Sequence, residues 1–182
     1  MTNTDTRPDI FDRALAFAEL HHANDYRKDG KTPYMVHVHA VIENTRNIVL
    51  AESSAGSVPY QTLRAIMAVA ALHDVMEDHR ELTRRDLLTA LLDPDEASLT
   101  DNQIAEENAT VVNVVKSVLA ITKKPKGVES YDAYVRRVAS YAWARIVKRG
   151  DLEHNMSDLP PGSMRDKYEL TKWVLETAEV TP

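Results

Sequence analysis

The stretch ALHDVMEDH, Ala71 to His79, sets His73 and three acids directly behind the uncharged run Ala65 to Leu72. If the helix of that run continues through Asp78, His73 and Glu77 lie four residues apart, as do Asp74 and Asp78, and all four share one broad face. Like charges at that spacing cost about 0.2–0.5 kcal/mol per pair, and acids near a helix C-terminus oppose its dipole. A positive partner should compensate them. Adjacent imidazole and carboxylate suit a divalent ion, and two further stretches offer more ligands: PYMVHVH upstream and VKRGDLEHN downstream. His37, His73, Asp74 and Asp151 could close around one ion. Two imidazoles and two carboxylates leave open positions on an ion that prefers six ligands, which suits catalysis better than a closed structural site. The plain reading, with His73 a satisfied core histidine and Asp74 a solvated helix end, leaves the cluster as a whole unexplained. His39 lies two residues from His37 and points to nearly the opposite side of a helix, so only one of the two can face the ion. Of the other histidines, His21 and His22 are expected to pack or hydrogen-bond, His79 to sit at a helix end and His154 to be solvated.

Composition narrows the chemistry. The chain has 182 residues, enough for one domain over residues 1–182, and its 43% hydrophobic content is ordinary for a globular protein. A net charge of -6 argues against a general nucleic-acid binder, so any bound phosphate must meet a local basic patch. With no cysteine, a metal site must be built from histidines, carboxylates and carbonyls, as suits manganese, magnesium, iron or zinc. The N-terminal MTNTDTRPDIF is polar, and no apolar run approaches the roughly 20 residues of a membrane span, so the expectation is a soluble cytoplasmic protein.

Only five glycines, and long stretches of Ala, Leu, Glu, Arg and Met, predict an all-helical fold. The first helix should follow Pro8 with Ile10, Ala14, Phe17, Ala18 and His21 at helical spacing, and end before KDGKTP. The second should run from Pro33 to Gly56, and the third from Pro59 into the acidic cluster. Thr83 can cap a short helix, with Asp86 completing a capping box. LDPDEASLTDN reads as an exposed loop, ATVVNVVKSVLAIT as a helix leading to the basic loop KKPKG, and residues from about Ser130 to Met156 as one long helix. LPPG should break the chain before the closing helix MRDKYELTKWVLETA.

HHANDYRKDGKTPYMVH, AALHDVMED and VKRGDLEHNM together resemble the HD-domain hydrolases of the RelA/SpoT type, most closely their small single-domain members, the small alarmone hydrolases. The shared pattern is a His, an Arg-Lys pair, Pro-Tyr-x-x-His, Leu-His-Asp-x-x-Glu-Asp and Lys-x-x-Asp-x-x-x-Asn. It falls here on His22, Arg27 and Lys28, Pro33 to His37, Leu72 to Asp78, and Lys148 to Asn155, and ITKK resembles the family's Thr-Lys segment. The resemblance implies a helical bundle around one metal, usually manganese, that removes the 3'-pyrophosphate of hyperphosphorylated nucleotides such as ppGpp or ppApp. Zinc, iron, cobalt or magnesium fit the same donor types.

Carried over, the resemblance makes His37, His73, Asp74 and Asp151 the metal ligands and Glu77 and Asp78 the catalytic carboxylates, with Glu77 the first choice for proton shuttle. Arg27, Lys28 and Lys148 supply cations for the phosphates, with Lys123 or Lys124 available from the basic loop. Asn155 would orient either the ribose or a metal ligand, and Tyr168 either lines the nucleotide pocket or packs. The chain departs from the pattern at Val38, usually proline, and at Arg149-Gly150, usually Leu-Ala. Gly150 can mark a kink or a close approach of backbone to ligand; Arg149 adds a phosphate contact or points to water. The chain lacks the synthetase and regulatory regions of the long members, so the resemblance implies degradation alone. Two other functions compete: a 5'-nucleotidase acting on (deoxy)nucleoside monophosphates, and a module that senses nucleotide without turnover. The choice between guanine and adenine, and the oligomeric state, stay open.

Overall fold

Asp9 decides where the first helix begins. It caps α1 (Ile10–His21) by accepting the backbone N–H groups of Phe11 and Asp12, while the Asp12 carboxylate takes the Asp9 N–H. Such groups have no partner inside a helix. Arg64, from the third helix, then grips the same Asp9 carboxylate with Nε and with Nη2 at 2.8 Å, and its guanidinium lies 4.3 Å from the centre of the Phe11 ring.

The computed structural model describes residues 7–53, 57–93, 95 and 99–178. After α1 come α2 (Tyr34–Glu52), α3 (Tyr60–Ala71), the single turn α4 (Val75–Asp78), α5 (Arg84–Leu91), α6 (Asp101–Ile121), α7 (Tyr131–Ala139), α8 (Ala142–Ser157) and α9 (Ser163–Thr177). The fold is all-helical; among the described residues the one extended pairing is an isolated bridge between Tyr26 and Pro33. No helix among them is long and apolar enough to cross a membrane. Helix α2 packs on α3 and α8, with α1 on α3 and α9 on α8. Val38, Val41, Val69, Leu72, Val118, Val147 and Leu152 are buried in one continuous core. Each such side chain contributes roughly 1.5–3 kcal/mol.

Three expected boundaries differ, each for a local reason. The third helix does not run through Asp78: it stops at Ala71, and residues 72–74 form a turn before α4. The carbonyl of Ala70, which would take the Asp74 N–H in a continued helix, faces His73 Nδ1 at 2.8 Å instead. The long helix from Ser130 is two, α7 and α8, because the Ser140 hydroxyl donates to the Arg137 carbonyl and Tyr141 is extended. Helix α6 starts at Asp101, inside the expected loop, since Thr100 and Gln103 form a capping box. Helix α2 ends at Glu52; Gly56 and residues 94 and 96–98 of LDPDEASLTDN lie outside the described residues. The Thr83–Asp86 capping box is present as expected.

Gly150 marks the place where α8 meets α2. A Cβ there would lie 2.8 Å from Thr45 Oγ1, 3.1 Å from Thr45 N and 3.3 Å from the Val41 carbonyl oxygen. Asn44 Nδ2 donates to the Gly150 carbonyl at 3.1 Å.

Two outcomes are expected. In Gly150→Ala, overpacking of roughly 1–3 kcal/mol should outweigh the gain of about 1 kcal/mol in helix propensity, lowering stability in urea unfolding. Asp9→Ala should lose about 1–2 kcal/mol at neutral pH. Partial burial pushes the Asp9 carboxyl up, but hydrogen bonds from Arg64 and from backbone N–H groups outweigh it and hold it below its ordinary value. Its contribution is therefore full above about pH 4 and fades as the pH falls through the lowered value, so wild type and variant should converge in acid.

Candidate metal centre

Three separate segments bring the four candidate ligands together. His37 is in the first turn of α2, His73 and Asp74 occupy the turn between α3 and α4, and Asp151 lies within α8. His37 Nε2 stands 3.1 Å from His73 Nε2, 3.5 Å from Asp74 Oδ2 and 3.4 Å from Asp151 Oδ1. His73 Nε2 stands 2.9 Å from Asp74 Oδ2 and 3.9 Å from Asp151 Oδ1. His37 and His73 are each 1% exposed and Asp151 3%. His39, by contrast, is exposed, which settles which histidine of α2 faces inward.

These atoms fit a divalent cation. The Ala70 carbonyl can only accept, so His73 Nδ1 carries the ring proton and Nε2 of the neutral ring presents a lone pair. His37 Nδ1 lies 2.7 Å from His154 Nδ1, and when it donates there, its Nε2 also presents a lone pair. With both rings neutral, two lone pairs 3.1 Å apart, flanked by two carboxylates, need a positive charge among them, either a proton or a cation. One ion at about 2.0–2.2 Å from His37 Nε2, His73 Nε2 and Asp74 Oδ2 meets separations of this size, and Asp151 Oδ1 stands within 3.9 Å of both nitrogens. Buried His/Asp groups here could hold a metal ion.

The electrostatics point the same way. Burial alone would push the His73 imidazole down, but the charge and hydrogen bond of Asp74, aided by Asp151, push it up to about 9. Burial pushes the Asp74 and Asp151 carboxyls up, yet His73 holds Asp74 well below its ordinary value and Lys148 does the same for Asp151. Lys148 Nζ donates to Asp151 Oδ2 at 2.5 Å, Asn155 Nδ2 donates to Oδ1, and the Tyr34 hydroxyl donates to Asp74 Oδ2 at 2.5 Å. Such outer partners orient the ligands.

The remaining candidate residues divide into two groups. Arg27, Lys28, Asn155 and Tyr168 line a cleft of about 360 Å³ that reaches His37 and His154. Arg27 is presented by a tight loop: Asp29 accepts from Lys31 N, Thr32 N and the Thr32 hydroxyl, while Gly30 takes the left-handed φ of 65° that favours glycine. Arg27 Nη2 reaches Asn155 Oδ1 at 3.4 Å. Glu77, Asp78 and Lys123 do not line this cleft. The Glu77 carboxylate accepts from Lys123 N at 3.1 Å and from Lys123 Nζ at 3.0 Å. Burial and the Asp74 charge push the Asp78 carboxyl up.

Some expectations change. Lys148 is buried against Asp151 and does not line the cleft. Arg149 neither adds a phosphate contact nor points to water: it is buried and pairs with Glu52 at 2.5 Å and Glu176 at 3.6 Å, tying α8 to α2 and α9. His154 is half-buried against His37 rather than solvated. In the sequence pattern Tyr34 is only the Tyr of Pro-Tyr-x-x-His, with no role of its own. The usable signal was spacing: Tyr34 precedes His37 by three residues, and His154 follows Asp151 by three, each on the face of its ligand.

Without a cation His73 keeps its proton up to about pH 9, so a metal must displace it. Affinity for Mn2+, followed by calorimetry, should therefore rise about tenfold per unit from about pH 6 to about pH 8. His154→Ala should weaken it roughly 10–100-fold. No model of a known protein family matches the chain, and neither does any curated protein.

Proposed function

We propose that the chain is a manganese-dependent HD-type phosphohydrolase that removes the 3'-pyrophosphate of a hyperphosphorylated guanine or adenine nucleotide. The observation that carries this reading is the convergence of His37, His73, Asp74 and Asp151 beside a cleft armed with Arg27 and Lys28. The order of motifs along the chain supports the same reading. His37, His73, Asp74 and Asp151 would hold the ion. When bound, a divalent ion polarises a phosphoryl oxygen and lowers the pKa of a water toward neutrality.

The chain's own residues supply the rest. Arg27 can grip phosphate with two parallel N–H bonds, while exposed Lys28 acts as a point charge. Asn155 accepts from Arg27 and donates to Asp151, so the phosphate grip and a ligand carboxylate share one hydrogen-bonded path. Lys148 neutralises Asp151 from behind and keeps its outer oxygen occupied. Glu77, held by Lys123, is the group assigned to take a proton from the attacking water at its carboxylate. Asp78 is the group assigned to pass a proton to the departing oxygen. The cleft, which sets Arg27 and Lys28 beside Asp29 and Asp158 on a chain of net charge -6, offers two cations to a small polyanion and no surplus of positive charge to a long nucleic acid.

Pyrophosphate release from ppGpp and from ppApp, with Mn2+ or with a chelator, tests the proposal. Release from either in Mn2+ alone is expected, and the faster substrate names the base. Glu77→Gln should lower kcat about a hundredfold or more while keeping the ion. Arg27→Ala should act chiefly on KM. Silence on both nucleotides would overturn the reading; release of phosphate from nucleoside monophosphates would then favour the nucleotidase, and nucleotide binding without turnover the sensor.

A further inference from the structure

Across the Tyr34 ring from the first centre, the ends of α1 and α4 bring together a second set of donors. His22 follows α1, Asp25 lies in the turn after it, and His79 follows α4. His22 Nδ1 stands 2.7 Å from Asp25 Oδ2, His79 Nε2 stands 3.0 Å from that same oxygen, and the two nitrogens are 3.4 Å apart. We propose that His22, Asp25 and His79 form a second cation site, taking one divalent transition-metal ion of the zinc, iron or cobalt kind. It shares no ligand with the first centre.

Three atoms separated by these distances admit one ion at about 2.1 Å from each. Two imidazoles and one carboxylate bind such ions and leave further positions open, here toward solvent, since Asp25 and His79 are partly exposed. The backbone already holds the ligands in place. Asp25 N–H donates to the His22 carbonyl at 3.1 Å, Tyr34 N–H donates to the Asp25 carbonyl at 2.8 Å, and His79 N–H donates to the Val75 carbonyl at 3.0 Å. Little ordering remains to oppose binding.

The competing reading is a hydrogen-bonded bridge in which one Asp25 oxygen accepts from both rings. It leaves His22 poorly served, because the ring is 2% exposed and its Nε2 has no partner. Burial lowers the His22 pKa, although Asp25 and the charge of Asp78 pull it up. A neutral His22 that donates from Nδ1 must bury a bare lone pair at Nε2. With an ion on Nδ1 the ring proton moves to Nε2, where no acceptor among the described residues stands within hydrogen-bond reach but the negative charge of Asp78 favours a proton over a lone pair. Glu81 Oε1, 3.7 Å from His79 Nδ1, is the matching charge outside the second imidazole. The ion would clamp the end of α1 to the end of α4, the turn that carries Glu77 and Asp78.

Metal content of the full chain, measured by mass spectrometry after equilibration with Zn2+, tests the site without reference to activity. Two ions per chain are expected in wild type, and one in His79→Ala and in Asp25→Asn. The double variant His73→Ala with Asp151→Ala should retain one ion, lost again when His79→Ala is added. With Co2+ the two sites should give separable d–d absorption bands, and His79→Ala should remove one set. Circular dichroism checks that each variant keeps its helices; Asp25→Asn, which nearly preserves shape, decides if His79→Ala does not. One ion in wild type, or wild-type stoichiometry in both single variants, would overturn the proposal.

Discussion

At Gly150 two helices touch backbone to backbone, and the arrangement of the first centre follows from that contact. Asp151 is the next residue of α8, while His37 lies about two turns back along α2 from Thr45. On the other side of the glycine, Arg149 ties α8 to Glu52 of α2 and Glu176 of α9. Three consecutive residues thus fasten, space and furnish the centre. A side chain larger than hydrogen at the middle one would press on Thr45 and on the backbone of α2, so that something in this contact must shift.

The contact also explains how so much charge survives burial. Asp151, Lys148, His73 and the largely covered Asp74 would each be costly alone, since an unpaired ion in the interior is opposed by several kcal/mol of lost hydration. None is alone. Lys148 covers one oxygen of Asp151 while Asn155 and the imidazoles share the other, and Tyr34 and His73 cover Asp74. Removing one member of such a set leaves its partner buried and uncompensated, which is why the polar cluster behaves as a unit.

Much of this was legible in the chain. Helical periodicity, Pro59 at the start of α3 and the Thr83–Asp86 box located elements correctly, and the imidazoles and carboxylates of three separate stretches picked out residues that do meet. What escaped were breaks made by side chains competing with the helix. Nothing in local propensity says that the His73 ring will lie against the Ala70 carbonyl, or that Ser140 will interrupt an apparently continuous α7–α8. Partners across the fold escaped as well. Arg149 and His154 look like solvated residues until α2 and α9 are laid beside them, and Glu77 finds Lys123 only when the chain after α6 returns to α4.

The ligands of the first centre are far apart in the chain. One ion held by all four would close two loops, from His37 to His73 and from Asp74 to Asp151, the second enclosing α4 to α7. Such closure acts as a removable cross-link, joining segments that the unfolded chain keeps apart. An ion that binds only the folded form adds about 2.7 kcal/mol at a hundredfold excess over its dissociation constant, a sizeable fraction of the stability of a small domain. For a protein of this design, metal supply would govern how long the chain lasts in the cell as well as how fast it works.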